Sequence, residues 1–470
     1  MQIPILNGIY ADSNGDFRTS YPRNLVPVPK QQGISQGYLR PADGIALFGI
    51  GPGMDRGGIN WNGVCYRVMG TKLVSVNDGG AITVLGDVGG NEQVAFDYSF
   101  DRLAVCSNGG LFYWDGINLT PVLDPDLGQV ISFIWIDGYF LTTDGNALVV
   151  TELNNPLSVN PLKYGSSESD PDVIKKLLKI RDEAYAINRY TIEVFDNVGG
   201  SLFPFAVNKN AIIERGAIGT YAACVFEIAA VAGIAFIGSK RKEPPSVWFG
   251  SNGQTLNIST REIDTILQDY GEAQLAQVII ESRVDKAHNH LYIHLPNQTL
   301  VYDAAASIVA KEPVWFSLTS SLVGKATYRA RNFVWCYDKW ISGDITSNNL
   351  GVFVNNVSSH FGVANGWEFG TAIIYNQGNG CIFHELELIG LPGHCSLTGT
   401  PTIWTSYSTD GETWSQERPR TAGRQGKRDT RLNWLQQGNM KNYRIQKFRG
   451  TSDAHLSMAR LEARIEALND

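Results

Sequence analysis

From residue 64 to residue 303 one pattern returns six times: a short strand of apolar and aromatic residues, a turn built on Gly, Asp or Asn, and a second strand of the same kind. The instances are Val64–Val76, Leu103–Trp114, Tyr139–Glu152, Glu183–Asp196, Ile234–Gly250 and His290–Asp303, and Phe333–Asn355 offers a seventh. Asn108-Gly109, Asp115-Gly116, Asp144-Gly145 and Asn252-Gly253 supply turn residues that accept the positive φ of a two-residue hairpin. The units recur every 35 to 55 residues or so, roughly the spacing of propeller blades. One small twisted sheet cannot cover both of its faces. A ring of such sheets buries each face against a neighbour and leaves only short edges. The expectation is an all-β chain with a β-propeller of six or seven blades over residues 46–364; a large sandwich, or two unrelated β-domains, is the competing arrangement.

Helices enter this reading only as insertions. Pro171–Glu183 sets Ile174, Leu177, Leu178 and Ile180 near one face, which predicts a helix. Ser259–Gly271 opens with a Ser/Thr cap and an acidic residue close behind, which predicts another. Residues 1–45 are irregular, and Pro22, Pro27, Pro29 and Pro41 bar long helices there. They read as an extended N-terminal arm, or as a segment docked on the rest. After about residue 365 longer polar loops separate the strands, and residues 365–470 read as a C-terminal β-sandwich-like domain. Its last segment, with Leu456, Met458, Leu461, Ala463 and Ile465, suits a helix by residue type and an edge strand with a register break by pattern.

Charge narrows the function. The chain has 39 Lys and Arg against 46 Asp and Glu, a net charge of -7, whereas a surface that grips nucleic acid needs a cation for each phosphate. The first residues, MQIPILNGIYADSNGDF, lack the basic-then-apolar order of a signal peptide, and no run of about 18 apolar residues occurs. Six scattered cysteines without a CxxC pair predict buried thiols made in a reducing cytoplasm.

Motifs for chemistry are thin. The glycine-rich Gly49–Gly58 has no GK[ST] ending and contains Pro52, so it reads as a turn and not a phosphate cradle. His288, His290 and His294 share a strand face by spacing, yet no adjacent carboxylate or cysteine completes a metal set. Cys381, His384, His394 and Cys395 include both zinc-ligand types, but adjacent His394 and Cys395 point to opposite faces of a strand. Ser408–Trp414 (STDGETW) resembles an Asp-box turn, a fold element without catalytic duty. Neither G-x-S-x-G nor H-E-x-x-H occurs. The chain is read as a non-enzyme with no cofactor and no metal. The standout feature is a basic loop in an acidic chain, formed by Arg418, Arg420, Arg424, Lys427, Arg428 and Arg431. It is a candidate contact for DNA or for an acidic partner face, or else a solvated hairpin. The Lys240-Arg241-Lys242 turn reads as a solvated blade tip.

Several stretches resemble one family. Gly37–Ile45 (GYLRPADGI), Cys65–Leu73 (CYRVMGTKL), Leu85–Gly90 (LGDVGG), Ile213–Tyr221 (IERGAIGTY), Arg261–Tyr270 (REIDTILQDY) and Leu291–Ser307 (LYIHLPNQTLVYDAAAS) occur in the order found in the packaged-DNA stabilisation proteins, or tail nozzle proteins, of short-tailed bacteriophages. The last is the most specific, and Pro313, Trp315 and Phe316 follow it as the family's strand end would. The resemblance implies a structural protein of the virion tail. It implies about six copies, a homohexamer forming a tube below the portal and its adaptor, through which double-stranded DNA passes without sequence recognition. It further implies a tail needle or plug at the far end, tailspikes or fibres at the sides, and neither cofactor nor catalysis. The alternative is a glycan-binding or glycan-cleaving propeller of a receptor-recognition module.

Overall fold

The computed structural model describes residues 1–11, 17–30, 35–153, 155–394 and 401–468. They form two compact units that interleave along the chain: residues 47–295 with 329–352, and residues 1–46 with 296–328 and 353–470.

The first unit is a propeller. Five antiparallel sheets of four or five strands follow one another between Asp55 and Asn257, and two further sheets, built on Ile279–Asp285 and on Ala330–Cys336, complete the series. The seven innermost strands — Asp55–Trp61, Ala95–Tyr98, Ser132–Ile136, Ile174–Ile180, Ala223–Ile228, Ile279–Asp285 and Ala330–Cys336 — each pack on the next, and the last packs on the first, so the ring closes with seven blades. The apolar core is a series of wedges between blades. Ala104, Leu111, Tyr113, Phe133 and Phe140 fill the gap between blades two and three, for example, and Cys65, Val74, Val334 and Ile341 the gap between seven and one.

Every seam between blades is also crossed by a polar bond. Around the ring, Arg56 Nη2 donates to Ser107 Oγ (2.8 Å), Trp135 N to Asp97 Oδ2 (2.6 Å), Lys179 Nζ to the Trp135 carbonyl (2.7 Å) and Lys176 Nζ to the Ala223 carbonyl (2.8 Å). Ser282 Oγ donates to the Val225 carbonyl (3.3 Å), Phe333 N to Glu281 Oε2 (2.7 Å) and Arg67 Nη2 to the Asn332 carbonyl (2.8 Å). The closing seam is the most heavily bonded. Fully buried Arg67 meets Asp55 in a fork of 2.6 and 2.8 Å, Asn332 Nδ2 donates to the same carboxylate (2.7 Å), and Gln93 Nε2 donates to Asn332 Oδ1 (2.6 Å). Burial works against the Arg67 charge, and the Asp55 carboxylate outweighs it, so the guanidinium stays protonated.

The hairpins that join inner to second strands form the tips of one propeller face. Asn62-Gly63 and Asp137-Gly138 use the residues that a two-residue turn with positive φ prefers. The last three tips in chain order lack a glycine: Ala229 (φ 51°) and Ala230 (φ 63°), Lys286 (47°) and Ala287 (70°), Tyr337 (56°) and Asp338 (55°). Each such residue costs on the order of 1 kcal/mol in the left-handed region. Replacing Ala229-Ala230 by Asn-Gly is therefore expected to stabilise the propeller by about 1–2 kcal/mol, read from the urea midpoint.

One expectation for the propeller needs correction. Pro171–Glu183 is no helix: Ile174–Ile180 is the inner strand of blade four, paired with Glu183–Asn188. A bulge between Ile174 and Lys176 puts Ile174 and Leu177 in one wedge, while Ile180 is buried on the opposite face in the next wedge, so buried residues fall at every third position and imitate helical periodicity. The segment at Ser259–Gly271 does form a helix, Arg261–Asp269, capped by Thr260 accepting from the Ile263 N–H. Tyr221–Ile237 contains a pair of strands joined at Ala229-Ala230.

The second unit packs two sheets face to face. One orders Leu25–Pro29, Gly37–Pro41, Met458–Ala467, Cys381–Gly390 and Asn433–Leu435, with Gln2–Ile3 paired to Met458–Ala467. The other orders Gly366–Gly370, Tyr443–Thr451, Thr402–Ser408 and Arg418–Thr421. The described strands Gln2–Ile3, Leu25–Pro29 and Gly37–Pro41 thus belong to this sheet and form no free arm. Ile3, Ile5, Leu25 and Leu39 are buried in the same core as Trp367, Phe383, Phe448 and Leu461. Prolines kept this segment from helix but not from strands; Pro27 and Pro29 sit in Leu25–Pro29, at the end of the sheet order. The last segment is a strand with two register shifts, and it lies inside the sheet instead of at its edge.

Candidate interaction surface

The basic loop lies between Arg418–Thr421 and Asn433–Leu435, strands that belong to different sheets of the sandwich. All six cations are exposed, but they divide into two sets. Arg418 Nη1 donates to the Leu435 and Gln436 carbonyls (3.2 and 2.6 Å), and Arg420 Nη2 donates to Asn433 Oδ1 (2.9 Å). Arg431 bonds Glu387 through Nε (2.8 Å) and Nη2 (2.6 Å) and reaches Glu385 at 3.4 Å. Arg431 in turn holds the Glu387 carboxyl below the usual range. Arg418 and Arg420 lace the two sheets together, and Arg431 ties the end of the loop to Cys381–Gly390 within one sheet. Arg424, Lys427 and Arg428 stand on the loop itself and make no side-chain ion pair among the described residues. The free charge of the cluster is therefore three cations on one exposed turn.

Most of the other candidates resolve into structure. His294, buried and with its pKa lowered by burial, bonds Glu281 (2.7 Å). Cys381 lies in the sandwich core, while His384 is half-buried and bonds Glu466 (2.8 Å), so these two do not share a ligand sphere. His394 is exposed, and Cys395 lies outside the described residues. The described cysteines are free thiols; burial pushes Cys65 up to about 11 and Cys106 to about 12, which keeps them protonated. The Ser408–Trp414 turn is held by Asp410 Oδ1 accepting from Glu412 N (3.0 Å) and Thr413 N (2.8 Å), a self-contained turn and no site. The Lys240-Arg241-Lys242 tip is paired, not merely solvated: Lys240 meets Glu214 (2.9 Å) and Arg241 meets Asp170 (2.8 Å).

One chemically distinctive region escaped the sequence. A cavity of about 400 Å³ runs down the propeller axis, lined by all seven inner strands and by Lys176 and Lys179. The signal that could have found them is a pair of cations embedded in an apolar run between two turns. Charge is also divided between the units: the propeller unit carries 30 Asp and Glu against 21 Lys and Arg, and residues 411–450 carry ten Lys and Arg against three acidic residues. No described helix is long and apolar enough to cross a membrane.

Two family models cover the chain: "Bacteriophage P22 Gp10, beta-propeller" over residues 1–358 and "Bacteriophage P22 Gp10, beta-sandwich" over residues 366–466. A curated relative, the "Tail hub protein gp10" of Salmonella phage P22, is 26% identical over 491 residues, spanning 99% of each chain. Among solved structures, the Neurospora crassa Pan2 WD40 domain aligns with a TM-score of 0.42 at 12% identity, over 67% of this chain and 95% of its own. The N-terminal domain of Nup159 aligns with a TM-score of 0.40 at 8% identity, over 69% and 97%.

Proposed function

The chain belongs to the bacteriophage P22 Gp10 family, and on that footing we propose that it is a structural subunit of the virion tail hub: a ring, six copies in our reading, that continues the DNA channel below the portal and its adaptor and retains the packaged genome. The observation that carries this is the paired match to the family's propeller and sandwich over nearly the whole chain. The physics is compatible. A net charge of -7 lets a duplex pass without being trapped by phosphate contacts. A propeller stitched at every seam is a stiff block with side faces for neighbours, and ring subunits meet through two different surfaces that close by rotation. Retention of this kind needs no catalysis, and we read the chain as a non-enzyme. A needle or plug and tailspikes or fibres are the further partners of this reading.

The exposed trio Arg424, Lys427 and Arg428 is our candidate contact to an acidic partner face or to the passing duplex. Changing all three to Glu is expected to leave the melting temperature within a few degrees, since exposed unpaired residues contribute within about 0.5 kcal/mol each. The same variant is expected to enter particles poorly, as measured by mass spectrometry of purified virions. Normal incorporation and infectivity would return the loop to a solvated hairpin. Cryo-electron microscopy of particles tests the larger claim: the chain is expected as a ring in the tail, and its absence from the virion would overturn the hub assignment.

A further inference from the structure

Strand spacing puts His288 and His290 on one face without a third ligand beside them in sequence, and the fold supplies one. The sheet of blade six orders Ile279–Asp285, His288–His294, Thr299–Asp303 and Val314–Leu318, so Asp303 stands on the strand next to both histidines. One ring nitrogen of His288, one of His290 and a carboxylate oxygen of Asp303 all lie within 4.8 Å of one another. His294, the third histidine of the strand, bonds Glu281 instead.

Each of the three is placed by local structure. Lys286 and Ala287 make a tight two-residue turn that sets His288 opposite Asp285, and strand alternation returns His290 to the same face. The two imidazole rings lie 5.9 Å apart between centroids. Asp303 ends its strand and caps the helix Ala304–Ala310: its Oδ1 accepts from Ala306 N (2.9 Å), and Ser307 Oγ donates to its backbone carbonyl (2.6 Å). These bonds fix the carboxylate. Asp303 is fully buried and His290 is 1% exposed, whereas His288 is half-buried and opens the cluster to solvent. Tyr292, further along that face, packs edge-on against Phe333 of blade seven, 4.8 Å between centroids, so the cluster lies towards the seam between these blades.

Two imidazoles and a carboxylate are the donor set of a first-row divalent ion such as zinc, whereas calcium and magnesium take oxygen ligands. Donors around a tetrahedral zinc stand about 3.3 Å apart, so closure from at most 4.8 Å asks for movements of about 1 Å, within reach of small side-chain rotations. One cation borders the cluster. Arg283 stands opposite His290, donates to Tyr292 Oη (3.2 Å) and reaches Asp285 at 3.9 Å, and that second carboxylate offsets its charge. We propose that His288, His290 and Asp303 bind a zinc-class divalent ion, with water completing the set on the His288 side. The ion ties the second strand of blade six to the third and, through Asp303, to the helix that follows. The site does not depend on the place of the chain in the virion.

The full chain, stripped with EDTA and dialysed, is titrated with zinc chloride and with cobalt(II) chloride. Zinc is expected to bind at about one equivalent per chain and to raise the melting temperature by several degrees, while magnesium shifts nothing. Cobalt is expected to give visible d–d absorption without the near-ultraviolet thiolate band that a cysteine site produces. Asp303→Asn, which keeps the shape and the cap, and His288→Ala, at the half-buried end, are each expected to melt near the metal-free parent and to lose at least about ten-fold in zinc affinity. In the parent, zinc is expected to slow carbethoxylation of His288 several-fold by peptide mass spectrometry, a readout that needs no variant to fold. Melting that ignores zinc would leave a proton-bridged histidine–carboxylate cluster and overturn the site. So would variants that bind zinc like the parent, or a His288 that zinc does not protect, since either places the ion elsewhere.

Discussion

Deleting residues 2–30 is expected to destroy the sandwich and spare the propeller. The deletion removes the strand paired with Met458–Ala467 and the strand Leu25–Pro29, and with them Ile3, Ile5 and Leu25, all at most 2% exposed. Emptying each such site costs about 2–5 kcal/mol, and together that rivals the whole stability of a typical domain, about 5–15 kcal/mol. The apolar wedges between the blades contain none of these residues. Hydrogen exchange separates the outcomes. Amides of Cys381–Gly390 and Tyr443–Thr451 should lose protection, while those of the inner propeller strands keep it. If the sandwich amides stay protected and only attachment to particles fails, residues 1–45 act as an arm after all.

The second large effect lies at the closing seam. Arg67→Met should cost about 3–5 kcal/mol, because it leaves Asp55 charged and buried with Asn332 as its remaining bonded partner. For a unit of this size that is a fall of roughly 10 °C in melting temperature. The double variant Arg67→Met/Asp55→Leu should recover part of the loss, since removing both charges avoids the stranded carboxylate. A loss below about 1 kcal/mol for Arg67→Met, well short of a buried pair, would show that the seam is held by its apolar wedge alone.

The contrast between these sites shows where the sequence was readable. The hairpins at 64–76, 103–114, 139–152, 183–196 and 234–250 stood out because they are the middle strands of their blades, covered on both faces and therefore dense in apolar residues. The strands flanking them were silent. Inner strands such as Asp55–Trp61 (DRGGINW) carry the polar seam, and outer strands such as Leu119–Pro121 are exposed, so neither shows a clean alternation. The helix at 261–269 was legible from its cap, a local signal. Ile174–Ile180 was misread because a bulge, which has no sequence mark, and burial on both faces together left every third residue apolar. The basic loop was found by charge alone. Its division into bonded and free cations depends in part on Glu385 and Glu387 standing more than forty residues earlier in the chain, opposite Arg431. The axial pocket depends on seven distant strands at once and left no local trace.

The pairing of Gln2–Ile3 with Glu462 and Leu461 also sets a clock. A ribosome adding about 5–20 residues per second needs roughly half a minute or more between making the first of these strands and the last. Throughout that interval the propeller's strands are emerging and closing, while the opening strands wait without a sheet to join. Any surface that the finished sandwich presents to the tail, the Arg424–Arg428 turn included, therefore comes into existence only after synthesis has passed residue 461. A nascent or prematurely terminated chain has no sandwich to offer, so the order in which this chain is built acts as its own proofreading step before it can take a place in a particle.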